Sequence, residues 1–130
     1  MNDDYLNAMI EIFAAIDPIP LARPRLNTKT RQAYYPRRSQ HFKKALAYIS
    51  KAQMKDKPPL AGKLKVDIEL CRNVKIDSKK FGDVDNHQKA IFDALNGIAF
   101  ADDSQIIEVK CAKFKGKEPY IRIIIEEIID

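Results

Sequence analysis

Leu64, Val66, Ile68 and Leu70 alternate with Lys63, Lys65, Asp67 and Glu69. That period of two predicts a strand with one wet face and one buried face. Residues 9–16 form a short apolar run that stops at Asp17-Pro18. Its length suits a strand, and a buried helical turn would look the same. Phe42, Ala45, Leu46 and Ile49 recur at helical spacing, so a helix is expected from Ser39, a residue able to cap it, to about Met54. Lys57-Pro58-Pro59 ends it. A second helix is expected over residues 84–96, with Ile91, Ala94, Leu95 and Ile98 inward and Gly97 as its stop. Residues 105–114 suit a strand, Gly116 marks a hairpin turn, and residues 120–127 return with Ile121, Ile123 and Ile125 in one buried row. The order strand, helix, strand, helix, strand, strand predicts an α+β fold on a mixed sheet. Without repeats, low-complexity tracts or a linker, residues 1–130 are expected to form one domain, a size that can bury its own core.

Charge sharpens the picture. The formal net charge is +5 and the pI about 9.2, which favours a polyanionic partner. Arg23, Arg25, Lys29, Arg31, Arg37 and Arg38 fall within residues 21–40 with no acid among them. Residues 1–20 carry only acids: Asp3, Asp4, Glu11 and Asp17. Pro18, Pro20 and Pro24 keep the start of the basic segment extended, a stiff loop closed by Tyr34-Tyr35-Pro36. Guanidinium forks grip phosphate bidentately, and the tyrosines are free to stack on unpaired bases unless the core claims one of them. Cys71 and Cys111 are far apart and form no CxxC pair, which suits buried free thiols in a reducing compartment; a disulfide stays compatible with the sequence. The acidic start lacks the basic leader and apolar core of a signal peptide, and no apolar run is long enough to span a bilayer. A cytosolic protein with no membrane partner is expected.

The chemistry concentrates in residues 80–95. Asp83 and Asp85 stand two apart where a loop becomes a helix, and Lys89 follows one turn later. Asp102-Asp103 precedes the next strand. Gathered carboxylates repel one another unless a cation joins them, and Mg²⁺ favours a few carboxylates plus substrate phosphate. Metal-assisted cutting of a phosphodiester is the chemistry this suggests. A plainer account has Asp83 and Asp85 complementing a helix N-terminus, at about 0.3–1 kcal/mol each. In the same account Lys89 pairs along the surface with Asp85 and Asp93, and Asp102 and Asp103 supply turn chemistry. The Asp-x-Asp spacing is no EF-hand, because Gln88 stands where that loop needs glycine. His41 and His87 have no Cys or His partner at zinc-ligand spacing. No Walker loop, dinucleotide fingerprint or nucleophile elbow is present.

Gly-Asp-Val-Asp-Asn-His-Gln-Lys-Ala-Ile-Phe-Asp-Ala-Leu-Asn-Gly (residues 82–97), followed by Ala-Asp-Asp-Ser-Gln-Ile-Ile, resembles the signature of the RusA family of Holliday junction resolvases. Residues 18–25 and Tyr35-Pro-Arg-Arg resemble N-terminal elements of many members. The resemblance implies a homodimeric, Mg²⁺-dependent endonuclease, often carried by phages and prophages, that cuts four-way DNA junctions in recombination and repair; Mn²⁺ is a possible substitute. It puts the metal-site acids on Asp83, Asp85 and Asp103, the essential lysine on Lys89, and a supportive role on Asn86. Arg23, Arg25, Lys29, Arg31, Arg37, Arg38, Lys75, Lys79 and Lys80 would then hold the DNA arms. His87 stands where some members carry an aliphatic residue, and neither its role nor that of Asp102 follows from the resemblance. The alternatives are a basic junction or single-strand binder without catalysis, and a nuclease of broader branched-DNA specificity.

Overall fold

A computed structural model describes residues 8–129. Asp3 and Asp4 lie outside the described residues. In chain order the elements are β1 (Met9–Ala14), β2 (Arg25–Leu26), β3 (Ala33–Tyr34), α1 (Arg37–Met54), β4 (Leu64–Arg72), α2 (Val84–Leu95), β5 (Ile106–Lys115) and β6 (Tyr120–Glu127). Four strands form one mixed sheet in the order β1-β6-β4-β5, with β4 and β5 parallel and the other pairs antiparallel. The expected α+β domain with a mixed sheet is therefore present.

Alternation in the strands becomes rows across the sheet. Ile10–Ile125–Val66, Ile12–Ile123–Ile68 and Ala14–Ile121–Leu70 each lie in register across β1, β6 and β4, all buried. Phe42, Leu46 and Met54 of α1 and Ala90, Ile91, Ala94 and Leu95 of α2 belong to the same core. Full burial of such a side chain stabilises by about 1.5–3 kcal/mol, so these rows dominate the fold. The other sheet face is mixed: Arg122 pairs with Glu11 at 2.6 Å, and Phe13 stacks on Tyr120. Ile123 and Ile125 of β6 are core, whereas Ile129 beyond it is exposed. Among the described residues no helix is long and apolar enough to cross a membrane.

Three expectations are corrected. Residues 115–120 do not form a hairpin, because β5 and β6 lie on opposite sides of β4. The link between them passes over the end of β4, where Gly116 N–H donates to the Arg72 carbonyl at 3.1 Å. A Cβ at Gly116 would sit 2.7 Å from Cys71 Sγ, so only glycine passes that close. Ser39 does not cap α1. The helix begins at Arg37, with Pro36 at the cap position (φ −55°, ψ 151°), and Ser39 is buried in the first turn. The proline ring presets that φ, and Gln40 N–H makes the first helical bond to the Pro36 carbonyl. Finally, the basic segment is more than an extended loop. It folds back as the two-stranded ribbon β2–β3, whose turn is held by Asn27 Oδ1 accepting from the Lys29 and Thr30 N–H groups. Arg31 takes a left-handed φ of 58° at its end.

Cys71 is buried and Cys111 half-buried, and both are free thiols. Burial pushes the Cys111 thiol up to about 11.

Candidate active site and nucleic-acid groove

Helix α2 starts where its sequence says it should, and Asp83 is the residue at the cap position. Its backbone is extended (φ −74°, ψ 144°), and its side chain makes no capping hydrogen bond. Asp83 and Asp85 do stand at the helix N-terminus, as the plainer account has it, but Asp83 lacks the bond that would make it a cap. The carboxylate is exposed and lines a groove of about 630 Å³. Arg25, Arg38, Lys79 and Asn86 line the same groove, so the ribbon, the first turn of α1 and the loop before α2 converge on it. Asn86 also ties these parts together, since its backbone carbonyl accepts from Leu21 N–H at 3.0 Å.

Asp85, in the first turn of α2, is exposed, as is Lys89 one turn on. Among the described residues Lys89 forms no ion pair with Asp85 or Asp93, which removes the surface pairing that spacing alone suggested. Arg23, Arg31, Arg37, Lys29 and Lys80 are exposed around the groove's elements, and Tyr34 and Tyr35 are exposed at 45% and 39% rather than packed in the core. The first turn of α1 contains Arg37 and Arg38 and no acid. Cations at a helix N-terminus oppose the macrodipole by roughly 0.3–1 kcal/mol each, a cost that an anionic partner removes.

The second acidic pair splits cleanly. Asp102 is a structural cap: its carboxylate accepts from Ser104 N–H at 3.0 Å, and Gln105 Oε1 accepts from Asp102 N–H at 3.0 Å. The bonds from Ser104 hold its carboxyl below the usual range. Gln105 then anchors the turn by donating to the Leu60 and Gly62 carbonyls. Asp103 opens this single 3₁₀ turn (Asp103–Gln105) and accepts from Asn96 Nδ2 at 3.3 Å. Asn96 Oδ1 is buried with no hydrogen-bond partner.

Asn96 stands at the C-terminal cap position of α2, and Asp83 at the N-terminal one. Twelve helical residues span about 18 Å. Asp103 thus stands beside the opposite end of α2 from Asp83 and Asp85. Among the described residues no three His, Cys, Asp or Glu side chains are grouped to hold a metal. The expected convergence of three aspartates does not occur within one chain, because the helix between them acts as a spacer. The donor chemistry nonetheless suits a hard cation: an uncapped carboxylate at one end, and at the other a carboxylate beside an orphaned amide oxygen.

Arg72, which sequence reading passed over, and His87, whose role it left open, hold the approach to Asp83. Arg72, at the end of β4, is buried and grips both carboxylate oxygens of Asp17 at 3.0 Å. Its Nη1 donates to the Lys80 and Phe81 carbonyls at 2.8 and 2.9 Å. His87 is buried too, and its Nε2 donates to the same Phe81 carbonyl at 2.6 Å. Burial lowers the pKa of His87 from its ordinary value, with the Phe81 contact opposing that shift. His87 is thus an interior hydrogen-bond donor. A pairing across 55 residues leaves no local signal at either partner.

The family model of the endodeoxyribonuclease RusA matches residues 15–126. The chain belongs to the RusA family, a family of Holliday junction resolvases with endodeoxyribonuclease activity. YqaN of Bacillus subtilis (strain 168), described as an uncharacterized protein, is 28% identical over 131 residues, 86% of this chain and 92% of YqaN.

Proposed function

We propose that this chain is a Mg²⁺-dependent endodeoxyribonuclease that resolves four-way DNA junctions as a homodimer in the cytoplasm of a bacterial or phage-infected cell. One observation carries the proposal: an uncapped, exposed aspartate in a groove whose other charged lining residues are Arg25, Arg38 and Lys79. A lone carboxylate among cations is poorly suited to binding DNA on its own account and well suited to sharing a cation with phosphate. Asp83, Asp85 and Asp103 would hold the ion. A bound Mg²⁺ lowers the pKa of its water and offsets charge on the departing oxygen. Lys89, unpaired along α2, would neutralise the scissile phosphate. Arg25, Arg38 and Lys79 fix that phosphate over Asp83, while Arg23, Lys29, Arg31, Arg37, Lys75 and Lys80 hold the flanking arms. The major groove admits a two-stranded ribbon, which gives β2–β3 a place on one arm.

The helix-length gap between Asp83 and Asp103 makes the dimer part of the chemistry. A twofold axis that lays two α2 helices antiparallel brings Asp83 and Asp85 of one chain beside Asp103 of the other. Two identical sites result, as symmetric cutting of a four-way junction requires.

Incubating a labelled synthetic junction with the protein in Mg²⁺ or in EDTA tests the proposal. Paired incisions only with Mg²⁺ are expected. Binding without cleavage in either condition would instead make the chain a junction-binding protein, and equal cutting of flaps and forks would make it a broader branched-DNA nuclease.

A further inference from the structure

Asp83 reaches the groove without the support that a helix cap normally provides, so its position must be set from behind. The ten residues between β4 and Asp83 contain no helix or strand, yet their last three are fixed from several sides. Arg72 binds the carbonyls of Lys80 and Phe81, and His87 binds that of Phe81. The Phe81 ring is fully buried, edge-on to His87 and under the Arg72 guanidinium. Gly82 takes a φ of +94°, and a Cβ there would lie 2.6 Å from Pro20 Cγ and 2.9 Å from His87 Nε2. Asp17 closes the assembly by accepting from Nε and Nη2 of Arg72.

We infer that Arg72, braced by Asp17, and His87 are positioning residues that lock the Phe81–Gly82 backbone and so aim Asp83 at the divalent ion. The inference rests on the reading of Asp83 as a metal ligand. A buried guanidinium needs paired acceptors, and here half of its bonds go to carbonyls two and three residues ahead of Asp83. The same assembly connects Asp17 and Pro20, which lead into the basic ribbon, with the start of α2.

The test uses the full chain and Mn²⁺ alone, titrated calorimetrically, beside junction binding in EDTA. Arg72→Met and His87→Leu should weaken Mn²⁺ binding roughly 10–100-fold, the usual effect of losing groups that orient metal ligands, while metal-free junction affinity holds within about twofold. His87→Gln, which keeps an N–H donor, should restore most of the Mn²⁺ affinity lost in His87→Leu. Unchanged Mn²⁺ affinity in Arg72→Met and His87→Leu, with Asp83→Asn still abolishing it, overturns the positioning role and leaves the metal-ligand reading intact. Unchanged affinity in Asp83→Asn overturns that reading and the inference together. Should Arg72→Met fail to fold, the two His87 variants decide: equal weakening in both means that the hydrogen bond to Phe81 is irrelevant and overturns the inference.

Discussion

Asn96 Nδ2 donates to Asp103 Oδ2 across 3.3 Å at the end of α2 farthest from Asp83. That bond pins the third acid of the signature a helix length from the first two, and it leaves Asn96 Oδ1 buried without a partner. An orphaned amide oxygen costs roughly 1–3 kcal/mol if nothing reaches it.

The adjacent aspartates should separate in experiment. Asp102→Ala removes a cap and should lower the melting temperature by a few degrees. Its junction cleavage should stay near that of the unaltered chain. Asp103→Asn should do the reverse, folding normally and failing to cut. Equal loss of cleavage in both would contradict the division of roles.

Groove cations should act through phosphate. Arg25→Ala, Arg38→Ala and Lys79→Ala should each weaken junction binding at all sequences alike. Each should also flatten the log–log salt dependence by about 0.9 for every phosphate that is no longer neutralised. Binding that is insensitive to salt would place the DNA elsewhere.

Core rows set stability without touching chemistry. Ile123 lies between Ile12 and Ile68 with no exposed surface. Ile123→Ala should cost about 2–5 kcal/mol in denaturant unfolding. Metal affinity of the folded fraction should be unchanged.

Cys111 makes stability fall at high pH. Its thiol is neutral in the fold up to about 11, whereas an unfolded cysteine ionises near about 8.5. The folded form thus keeps its proton when the unfolded form has lost it. The thiol's contribution is complete below the unfolded pKa and disappears as pH rises towards the folded one. Melting temperatures from neutral to alkaline pH should decline in that window, less steeply in Cys111→Ala. Rapid alkylation of the native protein at neutral pH would show that Cys111 is ionised there.

Much of this architecture was legible along the chain. The alternation of residues 64–70 and the helical spacing in α2 report local burial, and both elements appear where they were expected. Asp83, Asp85 and Lys89 stood out because one helix start gathers them. Pairing across distance was not legible. Nothing in residues 115–120 says that β6 crosses β4 before it pairs, and nothing near Arg72 announces Asp17. Asp102 and Asp103 look alike in sequence; only the bonds to Ser104 and Asn96 distinguish cap from candidate ligand. The basic ribbon reads as a loop because its two-residue strands are too short to show a period.

The dimeric site is tested most directly by mixing two inactive proteins. Asp83→Asn and Asp103→Asn homodimers should each leave a four-way junction uncut in Mg²⁺. After subunit exchange, a heterodimer has one site with both lesions and one with neither, so single-strand nicking of the junction should reappear. A mixture as inactive as its parents, with exchange verified, would contradict a site shared between the two ends of α2.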